Sequence, residues 1–409
     1  MRLIPSKIEL RFRCLNGIPK KNKRTRQFFT VAYHLNLLYF YIRTVSVFGS
    51  KTIVTQMGSV IIGTGSYLPT EKVTNADFLK HRFFEKNGDE ILKDNEEIIS
   101  KFKAITTIEE RLYASGDLVA SDIGLFAAEK AIKSSGIDPE TLDYIIVAQN
   151  FGDISSAKSH PDVLPTLAAR IKHKLRIKNP ECVAYDIPFG CPGWLQGVIQ
   201  ADYYLKSGDA KRILVIGTET LSRITDPYDR DSMIYADGAG AVILEMQDND
   251  KGILSHKTRS DTFEEAYYLY SGVSSNADFA DDNLYIKMDG RKIYEYALTN
   301  VPLAIKQTLD KAGLELKDVK KILIHQANGK MDEAILKRLY RLYKEEQISE
   351  DIMPMTIAKL GNSSVATLPT LLDLILNDKL ENHQIKVNDI IVFASVGAGM
   401  NINAAVYRF

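Results

Sequence analysis

The stretch Ala131-Ile132-Lys133-Ser134-Ser135-Gly136-Ile137 is followed by Asp143-Tyr144-Ile145-Ile146-Val147-Ala148-Gln149, and the pair returns 177 positions later. There it reads Thr308-Leu309-Asp310-Lys311-Ala312-Gly313-Leu314, then Lys320-Lys321-Ile322-Leu323-Ile324-His325-Gln326. Each copy is a helical tail, a glycine suited to a helix stop, a polar linker of equal length and a continuous apolar run. A second echo follows in the same order. Gly190-Cys191 precedes a helical pattern and the run Arg212 to Gly217; Gly361-Asn362 precedes a helical pattern and the run Asp389 to Ala394. Helices alternating with strands that are apolar throughout predict parallel sheets covered on both faces. Repetition at half the chain length predicts two similar α/β halves, 57–248 and 249–409, not a solenoid.

Composition fits that reading. The 409 residues are 45% hydrophobic and 25% charged, enough to bury a large core. The formal charge of zero points to neither nucleic acid nor membrane as a general partner. No run of about 18 apolar residues predicts a membrane span. The three cysteines, Cys14, Cys182 and Cys191, are too few for a disulfide framework and suit a reducing cytoplasm. The zero conceals an asymmetry: residues 1–56 hold eleven Lys/Arg and one acid, Glu9, so residues 57–409 stand at −10. That basic extension reads as a targeting peptide, as a basic arm at a membrane surface, or as a stretch upstream of the folded protein. The third is preferred, because a strand pattern starts directly after Met57. Residues 75–103 are charged and expected to be helical. Gly63-Thr64-Gly65 is a weak dinucleotide signal: the third glycine is missing, and Pro69 stands where a helix should begin.

The chemistry centres on Asp186-Ile187-Pro188-Phe189-Gly190-Cys191-Pro192-Gly193-Trp194. The pattern predicts a strand that delivers a thiol to the start of a helix, where unpaired N–H groups and the helix dipole favour a thiolate. A buried structural cysteine is the competing reading on base rates. The duplication weighs against it, because it places Cys191 and Asn362 at equivalent strand ends and His325 at the end of its own strand. A thiolate accepts an acyl group as a thioester, and His and Asn side chains donate hydrogen bonds to a developing oxyanion. Gly397, Ala398 and Gly399 form a turn that could complete an oxyanion hole. Seven His and three Cys show no metal-ligand spacing.

At these motifs the chain resembles the thiolase-superfamily condensing enzymes, most closely β-ketoacyl-acyl-carrier-protein synthase III, from Met57 to Phe409. The resemblance is carried by Ile62-Gly63-Thr64-Gly65-Ser66-Tyr67-Leu68-Pro69, Gly190-Cys191-Pro192-Gly193, Asp226-Pro227 through Arg230, and Asp237-Gly238-Ala239-Gly240-Ala241. It continues in His325-Gln326-Ala327-Asn328, Gly361-Asn362-Ser363-Ser364 and the final Arg408-Phe409. It implies a five-layered αβαβα sandwich and a Cys191-His325-Asn362 triad performing a Claisen condensation, as in the initiation of fatty acid synthesis. An acyl group is loaded on Cys191 and joined to a malonyl- or β-ketoacyl-carrier-protein thioester. The resemblance further implies a cytoplasmic homodimer with no metal and no cofactor beyond acyl-CoA and acyl-carrier-protein thioesters. Arg230 would contact the nucleotide of CoA. Lys330, Lys337 and Arg338 would dock the acidic carrier protein; as plain residues they read equally as a solvated helix face.

The chain also departs from the family. Pro188 and Phe189 precede the cysteine and Trp194 follows it, the C-terminal turn has fewer glycines, and residues 97–105 lack the Trp/Arg pair that grips adenine. These departures raise a specialised ketosynthase of a secondary pathway, of dialkylresorcinol or polyene-pigment type, as an alternative. A cysteine thioester hydrolase is the alternative from another class.

Overall fold

The computed structural model describes residues 57–155, 158–279, 281 and 283–409. The basic extension 1–56, with Cys14, lies outside the described residues. Two sheets organise the rest. The first holds β1 (Met57–Tyr67), β2 (Tyr144–Ala148), β3 (Val183–Ile187), β4 (Arg212–Thr220) and β5 (Asp237–Asp248), in the order β1-β5-β4-β2-β3. The second holds β6 (Gly252–Ser260), β7 (Val319–Ile324), β8 (Ile390–Gly397) and β9 (Asn401–Arg408), in the order β6-β9-β8-β7. The four-strand order recurs: β6, β9, β8 and β7 stand as β1, β5, β4 and β2 do. The pairs β4–β2, β2–β3 and β7–β8 are parallel, whereas β1–β5, β5–β4, β6–β9 and β8–β9 are antiparallel. The sheets are therefore mixed, not parallel throughout as expected. β5 and β9 follow their predecessors without a helical crossover, so the chain must turn back on itself.

Seven helices are used below: α1 (Asn95–Thr106), α2 (Ala120–Ser135), α3 (Leu167–Lys174), α4 (Gly193–Ser207), α5 (Gly290–Ala312), α6 (Gly329–Leu342) and α7 (Thr367–Leu376). The glycines that close the repeated tails, Gly136 after α2 and Gly313 after α5, both adopt φ of 69°, the left-handed stop that lacks a Cβ penalty. Of residues 75–103, only a short 3₁₀ turn (Asn75–Phe78) and most of α1 are helical. Alternate residues of each strand explain the continuous apolar runs. On β2, Ile145 and Val147 pack outward with α2 and α3, while Ile146 and Ala148 pack inward with α4 and α7. Leu323, Phe393 and Tyr407 of the second sheet meet the same central helices, and Ile322, Val392 and Ala404 face α5 and α6. The result is five layers, αβαβα, the thiolase-like sandwich. Each fully buried side chain such as Val215 contributes roughly 1.5–3 kcal/mol, and an Asp there would break the layer.

Gly63 and Gly65 serve packing. A Cβ on Gly65 would lie 2.3 Å from Ala127 O, and one on Gly63 2.5 Å from Ala131 O, so α2 can sit on β1 only because both are glycine. Trp194 and Phe189 also belong to the core. Trp194 is buried between the sheets with its ring edge-on to Phe393, and Phe189 packs against the same cluster.

Candidate active site

Cys191 follows β3 and the turn Pro188 to Gly190, and it immediately precedes Pro192 at the N-cap of α4. Gly190 has φ of 64°, and a Cβ there would stand 2.7 Å from Ala398 N. Gly397 presses from the other side: its Cβ would lie 2.6 Å from Cys191 N. The turn Gly397–Gly399 is thus seated directly on the cysteine turn, held by a hydrogen bond from Asn401 Nδ2 to Ala398 O at 2.8 Å.

His325 extends from the end of β7, and its N–H donates to Ala394 O of β8 at 2.8 Å. The next residue ties this strand to the asparagine. Gln326 Oε1 accepts from the N–H groups of Thr356 (2.8 Å) and Ile357 (3.0 Å), and its Nε2 donates to Pro354 O (2.9 Å). Those bonds fix the helical turn Ile357–Leu360, which ends at Gly361 with φ 64° and ψ −162°. Asn362 therefore follows a helical turn, not a strand as expected. Its backbone is held by Ile234 O (3.0 Å) and Ala236 N (2.9 Å). Its Oδ1 accepts from Ser364 N–H at 2.8 Å, which leaves Nδ2 as the end able to donate.

These three side chains line one cavity of about 1050 Å³, together with Gly397 and Ala398. Its walls include Phe102 and Ile98 of α1, Leu221, Ile234, Tyr235, and Ile286 and Met288 of the strand Tyr285–Met288. Arg230 also lines it and pairs with Glu85 at 3.2 Å. Lys330, Lys337 and Arg338 are exposed on α6, and Lys330 pairs with Glu333 at 3.2 Å. Phe189 and Trp194 do not line the cavity, so these two departures from the family give the specialised-ketosynthase alternative no geometric support.

Burial governs the protonation of the site. It pushes the Cys191 thiol up to about 11, against a lowering hydrogen bond from Ser364. The expectation that the helix start favours a thiolate is thus outweighed by desolvation. His325 is pushed down to about 4 by desolvation, so its imidazole is neutral at physiological pH. Its Nδ1 is shut away without a hydrogen-bond partner among the described residues.

Sequence reading missed two polar residues behind Cys191. Asn150, two residues after β2, accepts from Gly190 N–H through Oδ1 at 2.9 Å. Its Nδ2 donates to Glu219 Oε2 at 2.8 Å, and its N–H donates to the same oxygen at 3.1 Å. The available signal was a carboxylate following the apolar run Ile213–Gly217 of strand β4, where Glu219 is 1% exposed.

Family models for 3-oxoacyl-[acyl-carrier-protein] synthase III match residues 185–262, and for its C-terminal domain residues 309–409. The chain is 33% identical over 354 residues to a β-ketoacyl-[acyl-carrier-protein] synthase III of Vibrio vulnificus, covering 86% of this chain and all of that one. Its fold is similar to the crystal structure of a 3-oxoacyl-[acyl-carrier-protein] synthase III from Aquifex aeolicus, with TM-score 0.71, 28% identity, and coverage of 86% and 100%. It is also similar to the priming β-ketosynthase of a polyketide pathway, with TM-score 0.70, 23% identity, and coverage of 88% and 99%; that likeness speaks to the fold alone.

Proposed function

The chain belongs to the 3-oxoacyl-[acyl-carrier-protein] synthase III family of condensing acyltransferases, and from that premise we propose that Cys191, His325 and Asn362 carry out the condensation that initiates fatty acid synthesis. The observation that carries the proposal is one apolar cavity lined by a thiol, a neutral imidazole and an amide with its N–H end available.

In the first half-reaction the Cys191 sulfur attacks the carbonyl of an acyl-CoA. The new C–S bond forms, the old one breaks, and the Cys191 proton leaves with the CoA thiol. The N–H groups of Cys191 and Ala398 face the developing oxyanion, which is why the Gly397 turn must sit so close. In the second half-reaction a malonyl-carrier thioester loses CO₂, and the electron pair of that bond passes into an enolate. A neutral His325, donating through Nε2, and Asn362 Nδ2 hold its oxygen. A neutral donor suits this task, since an imidazolium would give up its proton to the enolate. The enolate carbon attacks acyl-Cys191, the C–C bond forms and the Cys191 sulfur departs.

On this reading 57–248 supplies the nucleophile and 249–409 supplies His325 and Asn362. Arg230 contacts CoA, and Lys330, Lys337 and Arg338 meet the acidic carrier protein. The chain works as a cytoplasmic homodimer whose only small-molecule requirements are its thioester substrates. Among the described residues no helix is long and apolar enough to cross a membrane.

The test is incubation with acyl-CoA and malonyl-carrier protein, followed by intact-protein mass spectrometry and product analysis. The expected result is one acyl mass on the wild type, none on Cys191→Ala, and a β-ketoacyl product. Undiminished loading of Cys191→Ala, or free acid with no carbon–carbon product, would overturn the proposal.

A further inference from the structure

The site poses a problem that the triad leaves open. The thiol must ionise to react, yet burial raises it and the neutral His325 offers no cation to hold the thiolate. Among the described residues one hydroxyl reaches the sulfur: Ser364 Oγ donates to Cys191 Sγ at 3.3 Å. Ser364 is buried, and it holds φ of 51° although it is not glycine, a conformation that an ordinary side chain adopts at a cost. Asn150 Nδ2 stands 3.4 Å from Ser364 Oγ and donates to it, while its Oδ1 binds the N–H of Gly190, next to the cysteine. Glu219 fixes the orientation of Asn150 by accepting from both its amide and its backbone N–H. We infer that Ser364 is a catalytic hydrogen-bond donor to the Cys191 thiolate, aimed by Asn150 and Glu219 as positioning residues.

The relay has a defined polarity. Asn150 donates to the hydroxyl oxygen, so the hydroxyl proton is committed to sulfur. Each donor strengthens the next, as hydrogen bonds in series do in a low-dielectric site. Glu219 also lies close enough to Cys191 to disfavour the thiolate when charged, and desolvation pushes its carboxyl up to about 8. The other titratable groups facing this cluster are Asp237 beside Glu219, Tyr235 beside Cys191, and His325 on the shared cavity. Asp237 is itself held by Ser222 and the Ala114 N–H.

The inference rests on Cys191 being the nucleophile, and the test separates the two claims. Alkylation of Cys191 by iodoacetamide, a neutral reagent, is followed from pH 6 to 10 by peptide mass spectrometry, with Cys182 as an internal control. Ser364→Ala and Ser364→Gly both delete the hydroxyl, and the glycine variant also relieves the backbone. Loss of about one pKa unit of thiolate stabilisation makes the thiolate about tenfold rarer. The more basic thiolate is about threefold more reactive, so the net fall at fixed pH is about three- to fourfold. Both variants are expected to show it, with Cys182 unchanged. Glu219→Gln keeps an acceptor for Asn150 but cannot ionise. It is expected to react faster than wild type above pH 8, where the wild-type carboxylate repels the thiolate. Wild-type rates in Ser364→Gly, or a Glu219→Gln profile superimposed on wild type, would overturn the inference and leave the nucleophile intact. A Cys191 unreactive in the wild type at every pH would overturn both.

Discussion

Gly397→Ala tests the oxyanion turn with a single methyl group. Gly397 has φ of −169°, extended backbone open to any residue, so space alone excludes a side chain. The added Cβ would lie 2.6 Å from Cys191 N, 2.7 Å from Pro192 Cδ and 3.0 Å from Cys191 Cβ. Two of these neighbours are the rigid backbone and ring of the nucleophile turn. Restoring ordinary contact at 3.4 Å requires the turn to retreat by about 0.8 Å. A donor at about 2.9 Å from an oxyanion would then stand near 3.7 Å, beyond a useful hydrogen bond. Loss of one such donor costs about 10²–10³ in rate. Overpacking of this kind also destabilises the fold by about 1–3 kcal/mol. The assay is rapid-quench acyl loading from acyl-CoA, read by intact mass, beside alkylation by iodoacetamide. Displacement by the small alkylating agent develops no oxyanion. Loading is therefore expected to fall about 10²-fold or more while alkylation falls by only about threefold. Loading at the wild-type rate would refute the geometric argument, and an equal loss in both reactions would show that the cysteine itself had moved.

His325→Ala should retain acyl loading on Cys191 while condensation falls about 10²–10³-fold, measured as product formed from pre-loaded enzyme. Because desolvation holds His325 at about 4, below its ordinary 6.5, protonation favours the unfolded chain. Its stability contribution is intact above pH 6.5 and is lost as pH falls toward 4, and urea denaturation should show that slope in the wild type and not in His325→Ala. Lys287→Met removes the buried partner of Asp226 (2.5 Å) and Asp229 (3.2 Å) and should cost about 3–5 kcal/mol in denaturant unfolding. The Lys330→Glu, Lys337→Glu, Arg338→Glu triple variant should raise KM for the carrier protein about tenfold or more at low salt and leave acyl-CoA loading unchanged. An equal rise in both would place the defect elsewhere.

Most of the fold could be read from local pattern. The αL glycines, the equal linkers and the two-faced apolar strands of the repeat are properties of short segments, and they specify helix, stop and buried strand without reference to distant residues. Strand direction was less accessible. β5 and β9 carry apolar runs like those of the parallel strands β2 and β7, and only the lack of an α-helix in the connections that precede them, 221–236 and 398–400, betrays an antiparallel return. Phe189 and Trp194 misled as departures from the family, because residues that flank a nucleophile in the chain need not flank it in space. In the fold they point into the central core, since α4 turns Trp194 away from Cys191 toward Phe393.

The sequence by itself determined which residues carry the proposed chemistry. A cysteine before a helix, a histidine after a strand and an asparagine after a glycine are each marked by their immediate neighbours. Only the tertiary structure decided their protonation and their support. Cys191 is pushed up and His325 down by burial, a property of the whole assembled cavity. Asn150, Glu219 and Ser364 come from positions as much as 214 residues apart, and a hydrogen bond across that separation leaves no periodic trace in the chain.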